Sequence, residues 1–368
     1  MTTTSDYIII GGGMIGVSIA YGLAKSGCQV MILDEGDMAY RAARGNFGLV
    51  WVQGKGVGVP HYASHTRQSA VLWPGFAEEL KEMTGVDPAY HKTGGLDYCL
   101  SDEEFSTFKR DLELLRDQSA GEFTFEALDN KAVREIEPEV GKGFPGAMYS
   151  PMDGHANPLY LLRALHQGFK QNGGNYKPRH TVQQITPGHD HFDIQTEQGA
   201  YACGRVILAA GLGNARLAPM VGLDQPVYPV RGQILATERL KPFLRQTSVY
   251  VRQTDEGGVL IGDSKEHTGF DDGTDIHIQA KIAARATRIF PCLKPVRVVR
   301  TWGALRVMTK DGMPIYEISK QFPGAFAASS HSGVTLAASN ALSLPRQIIA
   351  GQLDSDLELF TAARLNSV

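Results

Sequence analysis

Cysteine is scarce in this chain: four residues in 368, at Cys28, Cys99, Cys203 and Cys292. No pair has the CxxC spacing of zinc or iron–sulfur sites, so a cluster held by this chain is not expected. Four thiols in so long a chain do not make a disulfide scaffold either, and a reducing compartment is the simpler reading. An excess of one charge is also lacking. Lys plus Arg number 36 against 39 Asp plus Glu, a formal net charge of −3, without the basic surplus of nucleic-acid binders. No apolar run reaches the roughly 18 residues a membrane helix needs, and Met1 to Asp6 has no basic n-region. With 43% hydrophobic and 20% charged residues the composition is globular and not disordered. At about 150 residues per domain, the length predicts two domains. The expectation is a soluble, cytoplasmic, two-domain protein with no nucleic acid partner and no membrane span.

Glycine, by contrast, is plentiful at 41 residues, and it marks backbone that must bend or come close to something. Asp6-Tyr-Ile-Ile-Ile-Gly-Gly-Gly-Met-Ile-Gly16 reads as a β-branched strand running into a glycine turn. A helical pattern follows from Met14 to about Ser26, and Gly27 to Leu33 reads as a second buried strand, completing a βαβ unit. Apolar spacing predicts helices over Asp102–Gln118 and Pro158–Gln171. Gly204 to Gly211 reads as a strand ending in glycine. Short alternating runs between Tyr228 and Gly262 predict hairpin-rich antiparallel sheet. From Ala325 the pattern is a strand to Ser332, a glycine turn and a closing helix over Gly333–Ala350. With no linker or repeat in the sequence, the domains are expected to interleave: 1–80, 145–225 and 318–368 in a nucleotide-binding domain, 81–144 and 226–317 in a substrate domain. The fold class is α/β plus α+β, a Rossmann-like domain with an interleaved antiparallel-sheet domain.

Gly11-x-Gly13-x-x-Gly16 is a GxGxxG fingerprint, weak alone but set here between a strand and a helix, with an acid ending the next strand. Gly11 permits the tight turn, Gly13 lets backbone approach a pyrophosphate, and Gly16 lets helix and strand pack closely. The helix N-terminus at Met14 and Ile15 offers unpaired N–H groups and a positive dipole end to the phosphates. Asp34 follows Gly16 by 18 residues and is placed to accept from an adenosine ribose, with Glu35 as the competitor. An acid there disfavours a 2′-phosphate and so NADP. The fingerprint alone leaves NAD and FAD open.

Three further segments bear on that choice: Arg44-Gly45-Asn46-Phe47-Gly48, Ala209-Ala210-Gly211-Leu212-Gly213, and Ser330-His331-Ser332-Gly333-Val334-Thr335-Leu336. Together they resemble the amine-oxidising FAD family that includes D-amino acid oxidase, glycine oxidase and sarcosine oxidase, over essentially the whole chain. Val227-Tyr-Pro-Val-Arg-Gly-Gln233 and Trp302-Gly-Ala-Leu-Arg-Val-Met-Thr-Lys-Asp-Gly-Met-Pro314 are similar to two more of its segments. The resemblance implies that Arg306 pairs with the substrate carboxylate, a role suited to a bidentate, permanently charged guanidinium. It implies that Tyr250 adds a hydrogen bond to the same carboxylate, although a strand tyrosine also serves as packing. Asn46, Gly48 and Leu49 are implied to line the flavin, and Val182, Ala210 and Gly211 to contact the cofactor. The backbone of Gly333, Val334 and Thr335 is implied to face the pyrimidine end of the isoalloxazine, with Ser332 in the same segment. His331 is left between a site-lining and a packing role, and Gln53 and Lys55 between a place near the flavin and a solvated loop.

Two departures carry consequences. Ala304 stands nearest to where monomeric sarcosine oxidases attach the flavin through cysteine, so the FAD is expected to be non-covalent. The signature arginine is followed by Val307 where the family usually has proline. The stretches Asn46 to Gly56 and His331 to Ala337 resemble more narrowly the β-type catalytic subunits of heteromeric opine oxidases, D-hydroxyproline dehydrogenases and cyanide-forming glycine dehydrogenases. That branch implies hetero-oligomeric electron-transfer subunits as partners. The implied reaction takes a small amino or imino acid to its imine by hydride transfer from Cα to flavin N5, as a dehydrogenase. No residue offers itself as a dedicated base. The rival readings are an NAD-dependent dehydrogenase and a flavin electron-relay subunit without a substrate site.

Overall fold

The structure, a computed structural model, describes residues 3–36 and 42–366. Thr3–Ile10 forms the centre of an eight-stranded sheet, flanked in parallel by Val30–Leu33 and Gly199–Leu208. Outward from these lie Asn175–Lys177 on one side and Ala325–Ser329, then antiparallel Ile315–Ile318, on the other. A hairpin, Val182–Pro187 with Phe192–Thr196, extends the strand Gly199–Leu208. The continuous apolar run of Tyr7 to Ile10 follows from burial on both faces. Tyr7 and Ile9 point into one core with the helix Met14–Lys25, while Ile8 and Ile10 point into another with Met31, Val206 and Leu208. Each such fully buried Ile contributes about 1.5–3 kcal/mol of transfer free energy.

The second strand begins at Val30, three residues later than the pattern of Gly27 to Leu33 suggests. Gly27, at φ +86°, is spent on closing the helix, its N–H donating to the Ala24 carbonyl. Helices Asp102–Gln118 and Pro158–Gln171 have the expected bounds because their caps are local. Ser101 Oγ accepts from the Glu104 N–H, and Asn157 Oδ1 accepts from the Leu159 and Tyr160 N–H groups.

The antiparallel part differs more from expectation. Tyr228–Arg239 is one long strand whose main partner is the distant Val298–Met308, not a hairpin neighbour. Val251–Gln253 and Gly258–Ile261 complete this four-stranded sheet. A separate sheet joins Gly95–Cys99, Gly146–Ser150 and Glu126–Asp129, and so takes a strand from just beyond residue 145. A third core, with Leu96, Tyr98, Leu235, Tyr250, Ile261 and Phe290, fills the space beneath the helix Ile276–Ile289. Leu49–Val50 pairs with Gly154–His155.

Two helical features depart from the sequence pattern. The closing helix is two short ones, Ala337–Leu342 and Leu344–Ala350, broken at Ser343 with Pro345 opening the second. The strand before it stops at Ser329. A 25-residue helix, Pro60–Thr84, was hidden from the periodicity by its internal Pro74 and polar composition. Among the described residues, no helix is long and apolar enough to cross a membrane.

Candidate active site

The glycine turn is built by close packing. A Cβ on Gly16 would lie 1.9 Å from the Gly11 carbonyl oxygen, and one on Gly11, at φ +103°, 2.5 Å from the Ala209 oxygen. Gly13 is different: among the described residues a Cβ there would find only Ala43, at 4.0 Å, so these leave the surface above it open. The helix behind has no side-chain cap and no acidic residue in its first turn. Its N–H groups and dipole therefore face that open surface, as an anion site requires. Asp34 lies beneath the turn, its two carboxylate oxygens accepting from the N–H of Gly12 at 2.7 Å and of Gly36 at 2.9 Å. Glu35, its competitor for the ribose, is exposed. These residues fit the pyrophosphate and ribose of a dinucleotide.

The remaining segments that the family resemblance implies for the cofactor converge on the same end of the sheet. Asn214 ties together the strand ends, donating to the carbonyls of Leu208 and Ala328 and to Ser329 Oγ, while its Oδ1 accepts from the Ala210 N–H. A Cβ on Gly211, at φ +59°, would lie 3.3 Å from Val307 of the arginine signature. Val182 is buried at the start of the hairpin, its carbonyl held by Arg216. Exposed Arg44 opens a loop whose Gly45 carbonyl accepts from the Trp302 indole. In that loop Asn46 Oδ1 accepts from the Gly48 N–H at 2.7 Å. Thr335 Oγ1 donates to the Leu49 carbonyl and accepts from the Trp51 N–H, while its own carbonyl accepts from Ser69 and Trp73 of the unforeseen helix. Gly333 approaches Met14 and Ile15, with its Cβ position 3.4 Å from Met14, and Val334 is buried. The loop after the ribose acid and the segment before the last helices thus meet at the dinucleotide helix.

Arg306 lies on Val298–Met308 opposite Val230, with its guanidinium laid over Gly232, where a Cβ would be 2.4 Å from Nη1. It donates to the Ser264 carbonyl at 2.6 Å and has no carboxylate within 4 Å among the described residues. Burial pushes its pKa down. The other arginine of the re-entry segment is fully committed: Arg231 pairs with Glu266 at 2.8 Å and Asp271 at 2.6 Å. Gln233 donates to the same Glu266. Tyr250 is buried in the third core with the Arg285 guanidinium 4.1 Å over its ring, and burial pushes its hydroxyl pKa up. Asp97, whose pKa burial raises to about 7, and Arg285 both neighbour that hydroxyl, and Asp263 is a neighbour common to Tyr250 and Arg306.

One cluster was not legible in the sequence. Lys55 Nζ donates to His331 Nε2 at 2.9 Å and to Ser332 Oγ at 3.1 Å, and the Tyr62 hydroxyl lies 3.2 Å from Ser332. Burial, followed by the charges of Lys265 and Arg306, lowers the Lys55 pKa to about 8. The charge of Lys55 in turn keeps His331 neutral, well below its ordinary value. Below this cluster Asp153 is fully buried and accepts from the N–H groups of Val52 and Gln53 and from the Gln53 amide. Burial raises its pKa to about 7. A carboxyl raised in the folded state binds a proton that the unfolded chain has released. Its contribution to stability therefore falls as pH rises from about 4 to about 7. The melting temperature of Asp153→Asn relative to the parent is expected to increase across that window, read by thermal melts at pH 4.5, 6 and 7.5. A difference independent of pH would remove the assigned titration.

The parallel sheet, the glycine cradle and the acid beneath it define a dinucleotide-binding oxidoreductase fold. The family described as DAO, FAD dependent oxidoreductase, matches residues 6–342, and the chain belongs to it. FAD is accordingly the cofactor, and the NAD reading is set aside. The opine oxidase subunit designated B, from Agrobacterium tumefaciens (strain Ach5), is 44% identical over 363 residues, covering 98% of each chain. Hydrogen cyanide synthase subunit HcnC of Pseudomonas aeruginosa is 29% identical over 408 residues, covering 99% of this chain and 97% of its own. The crystal structure of glycine oxidase from Geobacillus kaustophilus superposes with a TM-score of 0.88 at 27% identity, covering 98% of both chains.

Proposed function

We propose that the chain is the catalytic subunit of a heteromeric amino acid dehydrogenase that oxidises an α-amino or imino acid, with an opine-type secondary amine as the favoured class. Arg306 carries this reading. It is a half-buried guanidinium with no carboxylate within 4 Å among the described residues, set beside the segments proposed to line the flavin, and such a group is best satisfied by a substrate carboxylate. FAD, when bound, supplies the chemistry by accepting a hydride from the substrate Cα. Arg306 fixes the carboxylate so that one Cα–H is directed at the acceptor, and the protein's contribution is orientation and electrostatics. Tyr250 donates its hydroxyl to the same carboxylate, a role supported by a neighbour, Asp263, that it shares with Arg306. The substrate amine binds neutral, which the surrounding positive charge favours, and water hydrolyses the resulting imine. The FAD is held without a covalent bond, since Ala304 offers no thiol. The electrons leave through partner chains, a reading supported by two relatives that are each named as one subunit of a larger enzyme, and the four free thiols suit a cytoplasmic setting. A pure relay role is disfavoured, because it gives Arg306 nothing to bind.

The test is the visible spectrum of the purified chain under anaerobic conditions, before and after D-proline, hydroxy-D-proline, sarcosine, glycine and opines. Bleaching of the flavin band by one or more of these is the expected result. A flavin band that none of them bleaches, in the chain co-expressed with its partners, would favour the relay reading.

A further inference from the structure

The neighbourhood of Arg306 holds more positive charge than one carboxylate can balance. Lys55, Lys265 and Arg306 are close enough for the charges of the last two to act on Lys55, and His331 feels all three. Among the described residues none of the three has an acidic partner within 4 Å. The nearby acids are engaged or set apart. Asp153 is bonded to the Val52 and Gln53 N–H groups and the Gln53 amide, and Glu266 is paired with Arg231. Asp263 acts on Arg306 only from beyond ion-pair distance.

The hydrogen bonds of Lys55 sharpen the point. An ammonium carries three N–H donors and no acceptor, so His331 Nε2 must accept and its proton sits on Nδ1. With Ser332 Oγ as the second acceptor, both of these partners of Lys55 are neutral, and among the described residues one of its donors is left over. The two residues that hold it precede Gly333, which rests on the dinucleotide helix. The ammonium is therefore fixed in place beside the segment leading to Gly333, with one donor unused among the described residues and with Asp153 acting on its charge only from beyond ion-pair distance.

We propose that Lys55, held by His331 and Ser332, forms a second carboxylate subsite, so that the chain selects secondary amines bearing a carboxylate on each N-substituent. Arg306 takes one carboxylate and Lys55 the other, with Lys265 at the exposed rim adding attraction for a dianion. This inference rests on the proposed function for the chemistry of its ligand, but not for its charge.

The experiment uses the FAD-loaded chain and two acids without nitrogen, neither of which is an amine that the enzyme would oxidise. These are 2,2′-thiodiacetate with two carboxylates and (methylthio)acetate with one, and their affinities are measured by calorimetry. In the parent chain thiodiacetate is expected to bind about 10-fold or more tightly than (methylthio)acetate. Lys55→Gln should erase that advantage and leave (methylthio)acetate within about 3-fold, while Lys55→Arg restores part of it. Equal affinities in the parent would overturn the proposal. So would retention of the advantage in Lys55→Gln, or a parallel loss for both acids, which would mark Lys55 as merely structural. A Lys55→Gln variant with a changed flavin spectrum but unchanged selectivity would assign the ammonium to the flavin instead. Iminodiacetate and sarcosine, the matching amines, separate the two readings. If the acids follow Lys55 but neither amine nor any opine bleaches the flavin, the subsite stands and amine oxidation falls.

Discussion

Arg306→Ala raises the KM for the amino acid substrate by roughly 100- to 1,000-fold, the cost of removing one partner of a desolvated, hydrogen-bonded charge pair. The measurement is anaerobic flavin reduction against substrate concentration. FAD stays bound in this variant, because the hydrogen bonds of Arg306 go to Ser264 and Arg231 and not to the nucleotide cradle. Arg306→Lys recovers only part of the loss: it keeps the charge but not the planar fork that meets both carboxylate oxygens. The direction matters as much as the size. A fall in the reduction rate at saturation with unchanged KM would mean that the guanidinium acts on the hydride-transfer step and not on binding. An unchanged KM and rate would remove Arg306 from the site altogether.

Gly13→Val is expected to separate folding from cofactor binding. The backbone of Gly13 is at φ −72°, ordinary for any residue, and among the described residues a Cβ there meets nothing closer than Ala43 at 4.0 Å. The cofactor-free variant should therefore melt within a few degrees of the parent. Its FAD affinity should fall by at least about 100-fold, or about 3 kcal/mol, because the branched side chain occupies the space the pyrophosphate needs. Fluorescence titration of the apoprotein with FAD gives the affinity, and a thermal melt without FAD gives the stability. Gly16→Val provides the contrast. Its Cβ would collide with the Gly11 carbonyl at 1.9 Å, backbone against backbone, so it should destabilise the apoprotein itself. A Gly13→Val chain that purifies yellow would place the cofactor elsewhere.

The legible part of this protein was local. The fingerprint could be read because strand, glycine turn, helix and acid all lie between Asp6 and Asp34, and Gly11 and Gly16 answer contacts within that unit or with the neighbouring strand end. The helices Asp102–Gln118 and Pro158–Gln171 were readable to the residue because Ser101 and Asn157 cap them through bonds two or three residues away. Where local signals conflicted, the reading failed. Pro74 and a polar composition concealed the helix Pro60–Thr84, which needs its tertiary partners at Thr335 to be understood.

By itself, then, the sequence determined the dinucleotide cradle, the arginine signature and the resemblance that places the chain among FAD oxidoreductases, since these rest on short-range backbone geometry and ordered motifs. Only the tertiary structure decided which cations are free. Arg231 and Arg306 look alike along the chain, yet Arg231 is consumed by Glu266 and Asp271 while Arg306 meets no acid within 4 Å among the described residues. Lys55 and His331 are 276 residues apart and meet at 2.9 Å. Ion pairing and desolvation depend on distances in space, and a spacing along the chain carries no information about them.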